Sequence, residues 1–168
     1  KLQAKVRCLV RSTEQADQLN KRFGVEPVIG DLTDPAALEK AVAGVSSIYY
    51  ICPNVSPFEV ETGEVLLNLA KRYGVEQFVY HSVLHPQIKA MPHHWQKMRM
   101  EERIFASNLP FTILQPCAYM QNILGNWKTI TENGTYPVPY STAARISIVD
   151  LEDVAAVVTR VLTEHNHI

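Results

Sequence analysis

The sequence has no long hydrophobic run, little net charge and few cysteines, and each absence narrows the possible functions. No apolar stretch approaches the roughly 20 residues that span a bilayer, so we predict no membrane role. A net charge of −1 provides no basic footprint for nucleic acid, and we expect no direct nucleic-acid binding. Cys8, Cys52 and Cys117 have neither zinc-ligand nor CxxC spacing, so no metal site is predicted. Such thiols are typical of a reducing compartment. Residues 1–5 do not resemble a secretory signal, and together these features favour a cytoplasmic location.

Glycine is also scarce, but three glycines share one context. Gly24, Gly44 and Gly74 each follow an amphipathic stretch and precede a valine and further apolar residues. A glycine just past a helix supplies the left-handed residue that ends it, and the apolar run after it is typical of a buried strand. Strands are predicted over 6–11, 25–29, 47–52, 77–82, 111–114 and 146–148. Helices are predicted over 13–23, from Pro35, over 58–73 and 94–107, and after Asp150. The pattern predicts one α/β domain over residues 1–168, with a doubly wound, mostly parallel sheet and helices on both faces.

Local signals indicate where the helices begin. Ser12 and Gln15 have the spacing of a capping box. Asp34 precedes Pro35, and this pair is typical of an N-cap followed by a proline in the first turn. Asp150 is a further N-cap candidate, and Val154, Val157, Val158, Val161 and Leu162 follow it on one predicted helix face.

A doubly wound sheet that binds a dinucleotide normally opens with a strand, a Gly-rich turn and a helix. Nothing of this kind precedes Val6, and no three glycines are closely spaced. In the usual strand order that first strand lies mid-sheet, here between the strands that contain Leu9 and Tyr50. We therefore expect the sequence to be part of a longer protein, incomplete at both ends.

Several segments, in order along the chain, resemble the NmrA-like branch of the atypical short-chain dehydrogenase/reductases. They are residues 6–12, 28–34, 78–83, Lys97 with Glu101 and Glu102, 111–116, and 148–155. The resemblance implies an NAD(P)-binding Rossmann-type domain. It also implies that relatives act either as reductases or as cofactor-sensing regulators.

The resemblance places the adenosine end of the cofactor at the first two predicted strands. Arg11 ends the first of these strands, where an arginine accommodates the 2′-phosphate of NADP, with Ser12 as a helper. NADP is therefore the expected cofactor, with NAD as an alternative, although an arginine here is also compatible with simple solvation. Asp31 and Leu32 would lie beside the adenine ring, unless Asp31 is only a turn residue.

The nicotinamide end of the cofactor falls, by the same resemblance, at the later strand ends. Pro53 and Asn54 would line the groove near the nicotinamide ribose, although this pair is also ordinary in loops. Pro116, Tyr119 and Asn122 would border the nicotinamide itself. The alternative for the segment from residue 119 onward is a helix whose apolar residues only pack.

Ser82, His93 and Lys97 are the candidate catalytic residues. In typical short-chain reductases a serine polarises the carbonyl, a tyrosine donates the proton, and a lysine four residues after that tyrosine holds the ribose. Here His93 stands four residues before Lys97, where the tyrosine would be. An imidazole is able to relay a proton near neutral pH, and Lys97 is also expected to contact the cofactor.

Two functions follow from these residues. One is an NADPH-dependent oxidoreductase for a small carbonyl or quinone substrate. The other is a non-catalytic NADP-binding redox sensor that regulates a protein partner. The missing tyrosine favours the sensor, whereas Ser82, His93 and Lys97 together favour the enzyme.

Overall fold

Residues 4–164 are described in a computed structural model, and along them strands alternate with helices. The elements are β1 (Arg7–Val10), α1 (Thr13–Phe23), β2 (Glu26–Ile29), α2 (Pro35–Val42), β3 (Ser47–Tyr50), α3 (Glu59–Tyr73), β4 (Gln77–His81), α4 (Pro92–Phe105), β5 (Phe111–Leu114), β6 (Ala118–Tyr119), a 3-10 helix (Met120–Asn126), α5 (Trp127–Asn133), β7 (Ile148–Val149) and α6 (Leu151–Thr163). The extreme ends of the chain, to which the expected incompleteness refers, lie outside the described residues.

All strand pairs in this part of the chain are parallel. β1 pairs with β2, β4 lies between β3 and β5, and β6 pairs with β7. Parallel strands joined by helices form the predicted doubly wound α/β class, which is confirmed. Over residues 4–164, β1 and β3 are not hydrogen-bonded to each other. The strand expected between them stays a prediction.

Helices cover both faces of the β3–β4–β5 sheet. Successive side chains of a strand point to opposite faces, so neighbouring residues contact different helices. Tyr50 and Tyr80 lie in the core formed with α3 and α4. From the other face, the Gln77 side chain donates a hydrogen bond to the carbonyl of Val161 on α6, at 2.8 Å. α3 and α4 pack closely at Gly63, where an added Cβ would lie 2.1 Å from Sδ of Met100.

The predicted helix ends are confirmed at several positions. Ser12 accepts a hydrogen bond from the Gln15 backbone N–H at 3.3 Å and caps α1. Asp34 and Asp150 cap α2 and α6 in the same manner. Gly24 ends α1 with a φ of 66°, the left-handed conformation that glycine adopts at little steric cost.

Other boundaries differ from the predicted ones for identifiable reasons. α4 begins two residues earlier than expected, because Pro92 occupies the first turn, where its missing N–H costs no hydrogen bond. The 3-10 helix and α5 contain no buried residue, so their sequences have no hydrophobic periodicity from which to predict them. The single apolar face predicted for α6 is only partly buried, since Val158 and Val161 are buried while Val157 is 48% exposed.

Candidate active site

A histidine flanked by two tyrosines lies at the carboxyl end of the central strand. His81 is the last residue of β4, and its ring Nδ1 is hydrogen-bonded to the hydroxyl of Tyr49 on β3. Its Nε2 lies 2.5 Å from the hydroxyl of Tyr119 on β6. The three side chains are all half-buried. Doubly wound sheets bind ligands at the carboxyl ends of their parallel strands, and this cluster lies at that edge of the sheet.

The other face of the same strands contains a buried ion pair. The Glu59 carboxylate, 2% exposed at the start of α3, lies 2.5 Å from Nζ of Lys97 on α4. The hydroxyl of Tyr80 donates to the same carboxylate oxygen at 2.7 Å, and the hydroxyl of Tyr50 donates to the Glu59 carbonyl at 2.8 Å. A buried carboxylate and ammonium are tolerated only with such pairing, so these groups form one fixed network.

Lys97 connects the two faces. Its Nζ donates a hydrogen bond to the backbone carbonyl of His81 at 2.9 Å and also lies 5.2 Å from the centre of the Tyr80 ring. Burial, and secondarily the Lys97 charge, lower the pKa of His81. The imidazole is therefore held neutral at neutral pH, with one ring nitrogen free to donate and the other to accept.

Burial raises the pKa values of the tyrosines, whereas it lowers the pKa of His81. Burial raises the pKa of Tyr49 to about 12, with a smaller contribution from Tyr119. Burial also raises the pKa of Tyr119, and of Tyr50 and Tyr80 on the other face. All four phenols consequently remain protonated hydrogen-bond donors over the physiological pH range.

Ser82 and His93, two of the predicted catalytic residues, have different environments. Ser82 is buried, and its hydroxyl donates to the carboxylate of Glu101, which also accepts from Nε2 of Gln115 at 2.9 Å. His93 is half-exposed at the start of α4, with its ring edge-on to that of His94. Burial, followed by the neighbouring His94, lowers the pKa of His93. Because the Ser82 hydroxyl is directed at Glu101, its polarising role stays a prediction, as does proton relay by His93.

Arg11 lies just beyond β1, and its guanidinium has no hydrogen-bond or ion-pair partner among residues 4–164. Ser12 beside it is the α1 cap. Asp31, after β2, accepts hydrogen bonds from the backbone and side chain of Thr33 at 2.8 and 2.6 Å, which lowers its pKa. Asp31 thus forms the turn that the sequence offered as one alternative, and the nearby Arg11 charge also lowers its pKa slightly. One oxygen of the Asp31 carboxylate has no partner in the described part of the chain.

Leu32 lines a cavity of about 220 Å³ between the β2–α2 connection and α3. The other lining residues are Thr33, Pro35, Leu38, Phe58, Glu61, Thr62 and Val65. The cavity wall combines apolar side chains with Thr33, Thr62 and the carboxylate of Glu61.

The remaining predicted contacts follow strand ends. Pro53 and Asn54 are exposed in the turn after β3. Pro116, after β5, accepts a backbone hydrogen bond from Leu84 at 2.9 Å, and Asn122 is exposed on the 3-10 helix. The alternative of a packed helix is not supported in this segment, since Met120 is 48% exposed.

Glu59 and His81 were not selected from the sequence, although both are central to this site. Glu59 looks like one of several acidic residues in the first turn of a helix, and nothing in its spacing reveals that α4 buries it. His81 is the last residue of β4, next to Ser82. A histidine at the carboxyl end of a predicted strand is the sequence feature that could have marked it as a site residue. Its two tyrosine partners lie 32 and 38 residues away along the chain, and only the fold brings them together.

The comparisons identify the family. The NmrA-like family model matches residues 1–168, and the chain belongs to that family. The chain is 31% identical over 163 residues to the NAD(P)H azoreductase of Xenophilus azovorans, covering 96% of this chain and 56% of that protein. It is 28% identical over 173 residues to the photosystem II assembly factor Ycf39 of Cyanophora paradoxa, covering 96% of this chain and 53% of that protein.

A solved structure shares the fold closely. The NADPH complex of the quinone oxidoreductase QOR2 from Escherichia coli superposes with a TM-score of 0.82 at 25% identity, covering 96% of this chain and 56% of that one. The chain thus spans about half the length of the relatives it matches. Among residues 4–164, no helix is both long enough and apolar enough to cross a membrane.

Proposed function

We propose that the full-length protein is an NAD(P)H-dependent oxidoreductase that reduces a small quinone or related carbonyl compound and prefers NADP. Similarity to an azoreductase and to an NADPH-binding quinone oxidoreductase supports this reaction class. The relatives' substrates are quinones and azo compounds by name, so the acceptor is expected to be small, planar and conjugated.

The observation that carries the cofactor assignment is the Arg11 guanidinium just beyond β1, for which residues 4–164 provide no hydrogen-bond or ion-pair partner. An arginine at the end of this strand suits the 2′-phosphate of NADP, because its planar fork donates two parallel hydrogen bonds and stays charged. The Ser12 hydroxyl lies next to it. By the family resemblance, Leu32 would lie beside the adenine ring, and the Asp31 carboxylate would face its exocyclic amine.

The remaining candidates would hold the other half of the cofactor. Pro53 and Asn54 would flank the ribose, Lys97 would contact it at the β4 end, and Tyr119 with Pro116 and Asn122 would border the nicotinamide. When bound, the reduced nicotinamide supplies a hydride to the acceptor. Ser82 and His93 stay candidates for polarising the acceptor and moving its proton, with the hydroxyl of Ser82 first released from Glu101. The three unpaired thiols within the described residues support our proposal that the protein works in the cytoplasm.

Two measurements on the full-length protein test this function. The first is oxidation of NADPH in the presence of a panel of quinones and aldehydes, where steady turnover is expected.

The second is cofactor affinity in Arg11→Ala, which should bind NADPH about ten- to a hundred-fold more weakly, because a hydrogen bond to a charged group contributes about 1.5–3 kcal/mol. NADH affinity should change little. Arg22→Ala, in an exposed position on α1, is the matched control. Equal losses for NADPH and NADH would reject the role of Arg11.

A second candidate is a non-catalytic NADP-binding regulator that acts on a protein partner. Two observations favour it: His93 stands where a catalytic tyrosine would be, and Lys97 is already neutralised by Glu59. The similarity to a photosystem II assembly factor also supports a role without turnover. Tight NADPH binding with no oxidation by any acceptor in the panel would select this function over the enzyme.

A further inference from the structure

We propose that Tyr119 is the proton donor of the reaction, and that His81 and Tyr49 behind it form a relay that returns the proton. The inference rests on the proposed oxidoreductase function. It names a residue that donates the proton to the acceptor. In typical short-chain reductases a tyrosine four residues before the lysine has this role, but here that position is His93.

The relay is continuous in the structure. Each ring nitrogen of His81 faces one phenol, with Tyr49 at Nδ1 and Tyr119 at Nε2. A neutral imidazole carries a single ring proton, so it donates to one tyrosine and accepts from the other. A proton entering at one phenol is therefore able to leave at the other without creating a charged histidine.

The direction of the relay follows from which phenol serves the substrate. Tyr119 lies in the segment after β5 that is expected to border the nicotinamide, whereas Tyr49 lies within β3. If the proton of His81 is on Nε2, that N–H donates to the Tyr119 oxygen and leaves the Tyr119 hydroxyl proton free to point at an acceptor. Tyr49 then donates its own proton to Nδ1. The proposed relay thus requires the Nε2–H tautomer before reaction.

The proton balance is closed. Hydride transfer leaves a negative charge on the acceptor oxygen. As the O–H bond of Tyr119 breaks, a new O–H bond forms on the acceptor, and the Tyr119 oxygen takes the proton from Nε2 of His81. Nδ1 takes the proton of Tyr49, and Tyr49 regains one from water. The histidine ends neutral with its proton on Nδ1, and proton exchange with water through the two phenols has to restore the Nε2–H tautomer before the next turnover.

The electrostatic surroundings favour a neutral relay. The groups facing His81 are the two phenols and, through the His81 backbone carbonyl, the ammonium of Lys97. Lys97 and burial both lower the pKa of His81, so the ring stays uncharged and keeps one accepting nitrogen at neutral pH. Glu59 pairs with Lys97 on the far side and does not contact the ring.

The test compares Tyr119→Phe with Tyr140→Phe, a control at an exposed tyrosine outside the site, in the full-length protein. General acid catalysis typically contributes about 10²–10⁴-fold, so kcat for quinone reduction should fall at least tenfold in Tyr119→Phe while the NADPH dissociation constant stays within about twofold. Tyr49→Phe should lower kcat less, because His81 still contacts Tyr119. His81→Gln should remove the limb of the kcat–pH profile that reports the histidine.

A second readout does not depend on turnover. The ¹⁵N chemical shifts of the His81 ring should identify the Nε2–H tautomer in the wild type at neutral pH. A kcat of Tyr119→Phe equal to that of the control, or an Nδ1–H tautomer, would overturn the relay while leaving the oxidoreductase function intact. A wild-type protein that binds NADPH without oxidising it would overturn both.

Discussion

Tyr50 and Tyr80 face α3 and α4, whereas Tyr49 and His81, one residue away on the same strands, face the opposite side of the sheet. On the first face the polar groups are buried, and Tyr50, Tyr80 and Lys97 all contact Glu59. On the second face they are half-buried, and the bonds join neutral groups that each donate and accept. The difference shows how two adjacent strands place a buried ion pair on one face of the sheet and a cluster of neutral hydrogen-bonding groups on the other.

The stability of the buried ion pair should separate it most clearly from the surface. Glu59→Gln leaves the Lys97 ammonium buried without its counterion, and breaking a buried pair costs about 3–5 kcal/mol. The matched control is Glu64→Gln on the same helix, whose partner Arg103 is half-exposed at 2.7 Å. That exposed pair should contribute only about 0–1 kcal/mol. The free energy of unfolding of the two variants, measured with urea, tests this difference. A similar loss of stability in Glu59→Gln and Glu64→Gln would show that the Glu59 network is not a buried ion pair in solution.

Removing both charges should restore part of the lost stability. Lys97→Met alone leaves Glu59 uncompensated, whereas the double variant Glu59→Gln with Lys97→Met removes both charges. Coupled residues deviate from additivity by about 0.5–3 kcal/mol, and we expect a value of about 2 kcal/mol here. A strictly additive double variant would contradict the contact. Cofactor affinity of Lys97→Met should also fall for both NADPH and NADH, and unchanged affinity for both would remove Lys97 from the cofactor site.

A smaller effect is expected at Ser82, the residue that follows His81. Ser82→Ala removes one donor to the buried Glu101 carboxylate but leaves Gln115 in place, so the free energy of unfolding should fall by about 1–2 kcal/mol. Ser141→Ala, in an exposed turn, is the control and should change stability by less than about 0.5 kcal/mol. Quinone reduction tested on the same Ser82 variant shows whether the hydroxyl also serves catalysis: a kcat equal to that of the wild type would exclude it.

The smallest effect is a pH dependence from His81. Its pKa in the folded protein lies below the ordinary 6.5, so the unfolded chain binds more protons near pH 6 and stability increases with pH. The His81 contribution is complete above about pH 6.5 and is lost as the pH falls. His81→Gln should therefore show a flatter dependence than the wild type between pH 7 and pH 5, by less than about 1.4 kcal/mol per pH unit. Urea unfolding at several pH values measures this, and parallel curves would show that His81 is not shifted.

Local signals in the sequence were sufficient for most of the fold. Capping residues such as Ser12 and Asp34, and glycines such as Gly24, act within a few residues, so the helix ends were predictable. The parallel class followed from the alternation of these units. The segment after Tyr119 was not predictable, because its short helices bury nothing and so have no apolar period.

Candidate site residues were accessible to sequence reasoning only where they stand near a strand end or in a segment that resembles the family. Arg11 was selected because it ends a predicted strand, and Tyr119 because residues 116–122 resemble the segment that borders the nicotinamide in the family. The Glu59–Lys97 pair joins the first residue of α3 to the middle of α4, and its burial depends on how these two helices pack at Gly63. Likewise, His81 becomes a relay candidate only once β3 and β6 bring phenols to both of its nitrogens. Pairings of this kind are set by tertiary packing.

The most direct test of the account is a crystal structure of the full-length protein with NADP⁺. We predict that the 2′-phosphate contacts the Arg11 guanidinium, and that the nicotinamide lies at the carboxyl ends of β3 and β4 beside the Tyr119 hydroxyl. A cofactor bound elsewhere, or one whose nicotinamide is separated from Tyr119 by other side chains, would contradict it.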